Sequence, residues 1–436
     1  MAAMLLSLRG TGWLIGLTFG ALVACGSDDD DTHPAAGGHG GTSNAAGAGG
    51  SAGTTTGGTS GTSGTSGTGG TFAPDPCIPG SLDSVEQAGA AGASGEAGAS
   101  SETPSPDACA AGGLADLPWL HTEGNQLQAP NGNPVILRGV GIVDLGATSQ
   151  EEGGIEAAID RVTALDDWQS NSPGWATHVV RLMVAPPDGD YVSPLPYDPD
   201  SEVDYYGTVL RPAVEYARRK GLYAIIDWHQ IDGTSAHLDT TDAFWADTAP
   251  RFAEDSHVLF ELFSEPTNGG VWPTTRYDME QWYATVRKGA PDNVVLVGTA
   301  NWSQQVGDAA ADPIDGTNIM YVAHMYPEHF AFSFLQEQLR NAASKVPVFV
   351  SEWGFQEDPS SDPGSGKTNG TLGSYGIPFK ILLDELQVSW TAWSASATWQ
   401  PPMFDEDSTL RVGDGEMGGF VKDWLYEKRH DGVPTP

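Results

Sequence analysis

This chain of 436 residues has few cysteines, and none of them lies in its apolar, patterned part. The three cysteines are Cys25, Cys77 and Cys109, and their positions exclude thiol chemistry from the patterned part, which begins near residue 114. In an oxidising compartment Cys77 and Cys109 could form a disulfide, although spacing alone does not give connectivity.

Positive charge is also scarce, with 20 Lys and Arg against 57 Asp and Glu and a net charge of -37. Nucleic acids and other polyanions bind to basic surfaces, so the composition argues against them as partners. Neutral ligands, including uncharged polysaccharides, are not disfavoured. Beyond the N-terminal region no stretch is long and apolar enough to predict a transmembrane helix.

Several catalytic motifs are missing from the patterned part. It contains no Gly-x-Ser-x-Gly turn, which argues against a serine hydrolase. Gly366-Lys367-Thr368 resembles the end of a phosphate loop, but Ser361 stands where the first glycine is required. His324 and His329 do not have a recognised metal-ligand spacing, and no Cys or carboxylate completes a set with them. We therefore expect neither a metal ion nor another cofactor.

The N-terminus has the order of an export signal. Arg9 precedes a short apolar run, residues 13–24, which is too short to span a bilayer. The run ends in Leu22-Val23-Ala24-Cys25-Gly26, which resembles the lipobox of bacterial lipoproteins. The resemblance implies that residues 1–24 are a signal peptide and that Cys25 is lipidated. We expect an exported protein, anchored by lipid at the cell surface or outer membrane, or else secreted.

Residues 25–113 consist largely of Gly, Ser, Thr and Ala with almost no large apolar side chains. Such a segment cannot offset the entropy of ordering, so it is predicted to be a flexible, disordered tether. The composition changes at about residue 114, and thirteen of the 14 tryptophans follow that point. Residues 114–436 are therefore predicted to be one folded domain, and we expect it to be a monomer.

In this domain short β-rich runs alternate with helical patterns, which is typical of βα repeats. The predicted strands are 135–142, 178–185, 222–228, 258–263, 294–298, 319–325, 346–352 and 389–393. The predicted helices are 155–168, 205–220, 241–254, 277–288, 334–343 and 372–386. Eight strands over this length predict an α/β fold, a (β/α)8 TIM barrel, with a doubly wound sheet as the alternative. The Gly-rich turn that usually follows the first strand of a doubly wound sheet is absent.

Catalytic side chains of (β/α)8 barrels stand at the C-terminal ends of the strands. Two glutamates, Glu265 and Glu352, end the predicted fourth and seventh strands, and other polar or aromatic residues end their neighbours. A pair of carboxylates on opposite strands suits glycoside hydrolysis, one as acid and one as nucleophile. Retention of configuration needs the carboxyl groups about 5–5.5 Å apart, and inversion needs about 6.5–9.5 Å.

Seven segments between about Trp119 and Trp424 resemble glycoside hydrolase family 5, the large cellulase and mannanase family, in their order and strand positions. They are Pro134-Val135-Ile136-Leu137-Arg138-Gly139-Val140, Val180-Arg181-Leu182, Ile225-Ile226-Asp227-Trp228-His229, Leu259-Phe260-Glu261-Leu262-Phe263-Ser264-Glu265-Pro266, His324-Met325-Tyr326, Val348-Phe349-Val350-Ser351-Glu352-Trp353-Gly354 and Ser389-Trp390-Thr391-Ala392-Trp393.

The resemblance implies a role for each residue at these positions. Glu265 is expected to be the general acid/base and Glu352 the nucleophile. The expected supporting residues are Arg181 and Tyr326 beside the nucleophile, His324 beside the acid/base, His229 on sugar hydroxyls and Trp393 as a platform under the sugar.

One position departs from the family pattern. The family has Asn directly before the acid/base, where it donates to the sugar 2-hydroxyl, and this chain has Ser264. A serine hydroxyl can also donate but reaches less far. A bridging water, a changed preference at the 2-position and weak turnover all remain open.

Other residues of the domain receive structural interpretations. Glu261 is interpreted as a buried structural carboxylate paired with an inward arginine such as Arg138, because buried charges need partners. Among tryptophans that could line outer subsites, Trp272 and Trp399 are favoured because they lie in or beside predicted βα loops.

The sequence thus predicts a retaining endo-β-glycosidase acting on a β-linked polysaccharide, with β-1,4-glucan the first choice. A β-mannanase or another β-glucanase of the same family is the alternative. A weakly active or inactive carbohydrate-binding surface lipoprotein is the alternative from another class.

Overall fold

The computed structural model describes residues 117–163, 166–167, 172–189, 191–269, 271–357 and 366–435. The predicted signal peptide (1–24), the predicted tether (25–113) and all three cysteines lie outside the described residues. Lipidation of Cys25 and pairing of Cys77 with Cys109 therefore stay predictions. Within the described ranges, no helix combines the length and the apolar character that crossing a membrane requires.

Eight parallel strands close into a barrel, and their order around it is their order in the chain. They are β1 (Arg138–Ile142), β2 (Val179–Val184), β3 (Tyr223–Trp228), β4 (Val258–Glu261), β5 (Val295–Val297), β6 (Ile319–His324), β7 (Val348–Glu352) and β8 (Ser389–Ala392). The barrel closes where Trp390 of β8 pairs with Arg138 of β1. The predicted (β/α)8 barrel is confirmed, and each strand is shorter than predicted by one to three residues.

Helices follow the strands on the outside of the barrel. They are α1 (Gly154–Arg161), α2 (Arg211–Arg219), α3 (Leu238–Arg251), α4 (Trp272–Gly289), α5 (Val306–Ala311), α6 (Ser333–Ala343), α7 (Ile377–Leu386) and α8 (Met417–Glu427). One turn of π-helix precedes α2 (Tyr206–Leu210) and another precedes α7 (Leu372–Gly376). Shorter helical turns lie in the connections: Leu145–Thr148, Thr234–Ala236, Ala300–Ser303 and Pro327–Phe330.

Two of these helices, α5 and α8, were not predicted. In α8 the pair Gly418-Gly419 hides the helical pattern, because glycine is a poor helix former. The structure explains Gly418: a Cβ there would lie 2.5 Å from the carbonyl oxygen of Met403 and 2.7 Å from that of Arg411. The glycine is needed for close packing, and the helix is stabilised by burial of Met417, Val421 and Trp424.

The inner face of the barrel changes from apolar to charged along its axis. Near the N-terminal ends of the strands the inward residues form one apolar cluster, which includes Leu137, Val179, Ile225, Leu259, Leu296, Val322 and Phe349. Two residues further along, the alternation of strand side chains brings polar groups to the same face. These are Arg181, Asp227, Glu261, His324 and Ser351, each no more than 1% exposed. The apolar layer fills one end of the barrel, and the polar layer above it is the candidate functional site.

Short segments extend and close this scaffold. A hairpin of His121–Glu123 with Gln126–Gln128 precedes β1, and its Leu127 packs into the apolar layer. Asp166–Asp167 pairs with Ser172–Pro173 in the connection after α1. Beyond the barrel rim, Glu265–Pro266 pairs in parallel with Ile231–Asp232. This last pairing fixes the backbone of Glu265 relative to the end of β3.

Candidate active site

Glu265 and Glu352 reach the mouth of the barrel from β4 and β7, which lie on opposite sides. An oxygen of Glu265, a ring nitrogen of His324 and an oxygen of Glu352 all lie within 4.8 Å of one another. The side chain of Glu265 is 14% exposed and that of Glu352 is 5% exposed. This spacing fits the shorter separation, about 5–5.5 Å between carboxyl groups, that double displacement requires.

Glu352 is held by charge and by hydrogen bonds on both oxygens. Arg181 Nη1 donates to Oε1 over 2.7 Å, and the Tyr326 hydroxyl donates to Oε2 over 3.0 Å. Burial alone would raise the pKa of Glu352, but the charges of His324 and Arg181 outweigh it and hold the pKa at about 2. Glu352 is therefore a carboxylate across the range in which enzymes normally work.

His324 connects Glu265 to the polar layer below it. Its Nδ1 lies 2.7 Å from Glu265 Oε1 and 3.6 Å from Glu352 Oε2, and its Nε2 lies 3.0 Å from Ser351 Oγ. Burial lowers the pKa of His324, whereas the charge of Glu352 and the bond to Glu265 raise it, and the net effect is a pKa above 6.5. The ring thus favours the cationic form, with a proton on each nitrogen.

Arg181, fully buried, lies at the centre of the polar layer. Its Nε and Nη2 donate to the two oxygens of Glu261 over 2.7 and 3.1 Å, and Nη2 also lies 3.0 Å from Asp227 Oδ2. The predicted pairing of Glu261 with Arg138 is wrong. Arg138 points to the opposite end of the barrel, where it donates to Asp431 over 3.1 Å. The arginine that meets Glu261 comes from β2 rather than β1, because strand alternation turns Leu137 into the inner layer and Arg138 to the other face with Val140.

Ser264, the departure from the family pattern, does not face the cleft. It is 0% exposed, and its hydroxyl accepts a 2.9 Å hydrogen bond from Arg181 Nη2. Its carbonyl oxygen accepts from the Ser303 hydroxyl over 2.8 Å. Ser264 therefore holds Arg181 and the loop after β5, and a sugar in the cleft cannot touch it directly.

An aromatic wall stands on one side of the two glutamates. Trp393 stacks on His229 with ring centroids 5.3 Å apart and planes 9° from parallel, and the guanidinium carbon of Arg181 lies 5.9 Å from the Trp393 ring. A hydrogen bond fixes the orientation of the His229 ring, because its Nδ1 lies 2.8 Å from Asp227 Oδ2. Trp399 lies edge-on to Trp393, with centroids 5.8 Å apart.

Tyr191 belongs to this wall and was missed in the sequence. Its ring meets Trp399 edge-on with centroids 4.9 Å apart, and it also approaches His229. It lies in the long connection after β2, where nothing in the local sequence distinguishes it from Tyr197, whose ring packs in the core against Trp228.

The structure places Trp272, a favoured subsite residue, in the core and leaves Trp302 partly exposed. Trp272 begins α4, is 3% exposed, packs against Tyr321, and donates its indole N–H to Asp312, so it lies in the core and not in an outer subsite. Trp302 is 38% exposed in the connection after β5. It lies in a run of three left-handed residues, Asn301, Trp302 and Ser303, with φ between 54° and 59°. Such backbone is costly for residues other than glycine and tends to occur at functional sites.

Glu265, His324 and Glu352 also form a group that could hold a metal ion, although no metal site was expected at His324. Both oxygens of Glu352 already accept hydrogen bonds, and one of these comes from the Arg181 guanidinium 2.7 Å away. A metal ion bound there would face that positive charge at short range. The electrostatics suit a carboxylate nucleophile better than a metal ligand.

Comparisons with known proteins identify the family. Residues 146–398, more than half of the chain, match the cellulase family (glycosyl hydrolase family 5). Endoglucanase E-5 of Thermobifida fusca is 27% identical over 75% of this chain and 67% of its own length. Endoglucanase MaCel5A of Microbulbifer sp. is 29% identical over 71% of this chain and 58% of its own length. The chain thus spans about three fifths to two thirds of these relatives.

Solved structures share the fold. The β-glucanase SdGluc5_26A of Saccharophagus degradans superposes with a TM-score of 0.62 at 23% identity, covering 73% of this chain and 96% of that one. The cellulase Cel5C_n superposes with a TM-score of 0.58 at 24% identity, covering 71% of this chain and 92% of that one. At these identities the likeness concerns the fold alone. The match of residues 146–398, however, shows that the chain belongs to the cellulase family, glycosyl hydrolase family 5.

Proposed function

We propose that this protein is a retaining endo-β-glycosidase that hydrolyses β-1,4-glucan. The observation that carries the proposal is the pair Glu265 and Glu352, whose oxygens lie within 4.8 Å at the barrel mouth, the first bonded to His324 and the second to Arg181. Membership of the cellulase family supports hydrolysis of a glycosidic bond. Curated relatives that carry the name endoglucanase support internal cleavage of a glucan.

In the first step Glu352 attacks the anomeric carbon, and the bond from that carbon to the leaving oxygen breaks. Glu265 transfers its proton to the leaving oxygen, and a glycosyl ester forms on Glu352. The pKa of about 2 keeps Glu352 anionic and ready to attack at any pH well above that value. Tyr326 and Arg181 aim its two oxygens, which limits the orientations that it must search.

In the second step Glu265, now ionised, takes a proton from a water molecule, and the water oxygen attacks the anomeric carbon. The ester bond to Glu352 breaks, and the two inversions give net retention. Negative charge has moved from Glu352 to Glu265 during the first step and returns during the second. His324 lies 2.7 Å from one carboxylate and 3.6 Å from the other, so its positive charge has an anionic neighbour in both states.

The aromatic side chains support a polysaccharide as substrate. One face of Trp393 stacks on His229, and we assign its other face as a platform for the apolar C–H face of a pyranose. Trp399 and Tyr191 extend the wall on that side, and Trp302 stands on the other side of Glu265, after β5. We assign Trp302 to the leaving-group side of the cleft. β-Mannan and other β-glucans are the alternative substrates.

Reducing-sugar release from hydroxyethyl cellulose, carboxymethyl cellulose, glucomannan and laminarin tests the proposal. The neutral cellulose ether is included because a protein of net charge -37 repels an anionic polymer. Glu352→Gln should abolish release, and the control Glu215→Gln, exposed on α2, should retain it. If the wild type releases no sugar from any of these polymers but binds one of them, the protein is a carbohydrate-binding module on a hydrolase barrel.

The location of the protein is also part of the proposal. Lipidation at Cys25 after removal of residues 1–24 would anchor it at the cell surface, with residues 25–113 as a flexible tether and the barrel as a monomer. The support is the sequence Leu22-Val23-Ala24-Cys25 after an apolar run. A clickable fatty acid fed to the expressing cells should label the wild type, and Cys25→Ser should be unlabelled and leave the membrane fraction. Equal labelling of both proteins contradicts the anchor.

A further inference from the structure

The two catalytic glutamates are joined by a continuous buried circuit of hydrogen bonds below the cleft. From Glu352 the circuit passes to Arg181 (2.7 Å), from Arg181 to Glu261 (2.7 Å) and from Glu261 to Ser351 (2.8 Å). It continues from Ser351 to His324 (3.0 Å) and from His324 to Glu265 (2.7 Å). Arg181, Glu261, Ser351 and His324 are each no more than 1% exposed, so water does not interrupt these contacts.

The direction of each hydrogen bond follows from the donors present. Arg181 can only donate, so both oxygens of Glu261 accept from it. The Ser351 hydroxyl donates its single proton to Glu261 Oε1 and must therefore accept from His324 Nε2–H. With a proton on Nε2 and a cationic ring, Nδ1–H donates to Glu265 Oε1. The acidic proton of Glu265 is thereby directed to Oε2, the oxygen left for the leaving group.

Glu261 and Ser351 have no contact with the cleft, yet each bonds a side chain that itself bonds a catalytic glutamate: Glu261 bonds Arg181, and Ser351 bonds His324. We propose that Glu261 and Ser351 are positioning residues of the reaction, Glu261 fixing Arg181 against the nucleophile and Ser351 fixing His324 against the acid/base. The inference rests on the proposed function, because it concerns the same two glutamates. It adds a division of labour. Through hydrogen bonds the Ser351 arm reaches only the acid/base, and it affects Glu352 only through the charge of His324, 3.6 Å away. Glu261 bonds both Arg181 and Ser351 and so serves both arms.

The effects of the two arms, one through Arg181 to Glu352 and one through His324 to Glu265, can be measured separately by changing the leaving group of the substrate. An aryl glycoside with a 2,4-dinitrophenyl leaving group departs as a stable anion and needs no proton from Glu265, whereas a phenyl leaving group needs one. The value of kcat/KM reports on the steps up to departure of the leaving group. Impairment of His324 and Glu265 should therefore lower kcat/KM for the phenyl β-cellobioside only. Impairment of Arg181 and Glu352 should lower it for both substrates.

The test measures kcat/KM of the purified protein with both β-cellobiosides. Ser351→Ala should lower the phenyl value by about 10- to 100-fold, part of what a general acid contributes, and leave the dinitrophenyl value within about twofold. Ser351→Thr keeps the hydroxyl and should recover most of the phenyl activity. Glu261→Gln should lower both values, because the guanidinium loses its ionic partner.

Thr391→Val is the matched control. Thr391 is 0% exposed, and its hydroxyl donates to the backbone carbonyl of Ser351 over 2.7 Å without joining the circuit. It should lower the melting temperature but leave the ratio of the two kcat/KM values unchanged. If Ser351→Ala changes both substrates by the same factor, as a merely structural residue would, the inference is overturned. If the wild type cleaves neither cellobioside, the proposed function fails instead, and the two failures are distinguishable.

A measurement on the wild type does not depend on the activity of any variant. With 15N-labelled histidine, His324 should show two slowly exchanging imidazole N–H protons near neutral pH, since both nitrogens donate to buried acceptors. His324→Asn should remove both signals and so assigns them. A single protected N–H on His324 would overturn the circuit, because either Ser351 or Glu265 would then lack its donor.

Discussion

Arg181 Nη1 lies 2.7 Å from Glu352 Oε1, and the exposed fractions of the two side chains are 0% and 5%. The pair is neither a surface ion pair nor an isolated buried one, because the same guanidinium also meets Asp227 and Glu261. A buried cation shared by three carboxylates is stable only when every member is paired. Removing Arg181 therefore affects the nucleophile and the fold together.

Arg181→Lys should raise the pKa of Glu352 from about 2, because one ammonium cannot reproduce the fork that grips both Glu352 and Glu261. The acid limb of kcat/KM should move to higher pH. The sign for stability follows, since a depressed folded pKa stabilises the protein above the unfolded value of 4.5, and this stabilisation is lost as pH falls towards 2. The variant should be less stable by about 3 kcal/mol at neutral pH, and its difference from the wild type should narrow as the pH falls from 4.5 towards 2. An unchanged acid limb in a folded variant contradicts this account.

Glu265→Gln should lose about 100- to 10,000-fold in kcat/KM for substrates with poor leaving groups, since it cannot donate the proton. With a dinitrophenyl glycoside the first step should survive, and a burst of dinitrophenol should precede slow turnover because the second step lacks its base. Mass spectrometry of the quenched reaction should find the glycosyl ester on Glu352. An ester on any other residue disproves the assignment of the nucleophile.

His324 should give the stability of the protein a pH dependence opposite in sign to that of Glu352. Its folded pKa is raised above 6.5, so its contribution is complete below that value and is lost as pH rises through the folded pKa. Unfolding by denaturant at several pH values from about 6 to about 9 should show this decline in the wild type. His324→Asn should give a flatter curve over the same window. Parallel curves for the two proteins argue against a charged His324.

Trp302→Ala should weaken binding of oligosaccharides that extend past the cleavage point by about 0.5–1.5 kcal/mol, through loss of aromatic contact. Trp399→Ala should act on the opposite side of the cleft, so the two variants should shift the product pattern in opposite directions. Tyr277→Ala, whose ring is 64% exposed on α4, is the control and should change neither affinity nor products. Product patterns identical to the wild type would remove Trp302 from the cleft.

Trp272→Phe should behave differently from both cleft variants, because Trp272 is buried and its indole donates to Asp312. We expect a loss of about 1–3 kcal/mol in the free energy of unfolding, for the unmade hydrogen bond and the cavity. Oligosaccharide affinity should be unchanged when measured well below the melting temperature. A selective loss of affinity without loss of stability would return Trp272 to the list of subsite residues.

Much of the barrel could be predicted from local sequence. Strands such as 222–228 and 348–352 are short apolar runs bounded by turns, and a strand buried on both faces has this appearance wherever it occurs in a barrel. The ends were less accurate, because the pairing that ends a strand depends on its neighbour. The helix α8 was missed, since Gly418 opposes helix formation locally and is needed only where Met403 and Arg411 approach it.

The sequence by itself determined the identity and order of the strand-end residues, because a (β/α)8 barrel brings every strand end to one rim. That is why Glu265, Glu352, Arg181, His324, Tyr326 and Trp393 could be named before any coordinates, and the structure brings them together. Only the tertiary structure decided their partners. Whether Glu261 meets Arg138 or Arg181 depends on which face of its strand each arginine occupies and on how far along the strand it stands. Whether Trp272 or Trp302 is exposed depends on contacts between loops and helices that are distant in the chain, and these contacts leave no local pattern to read.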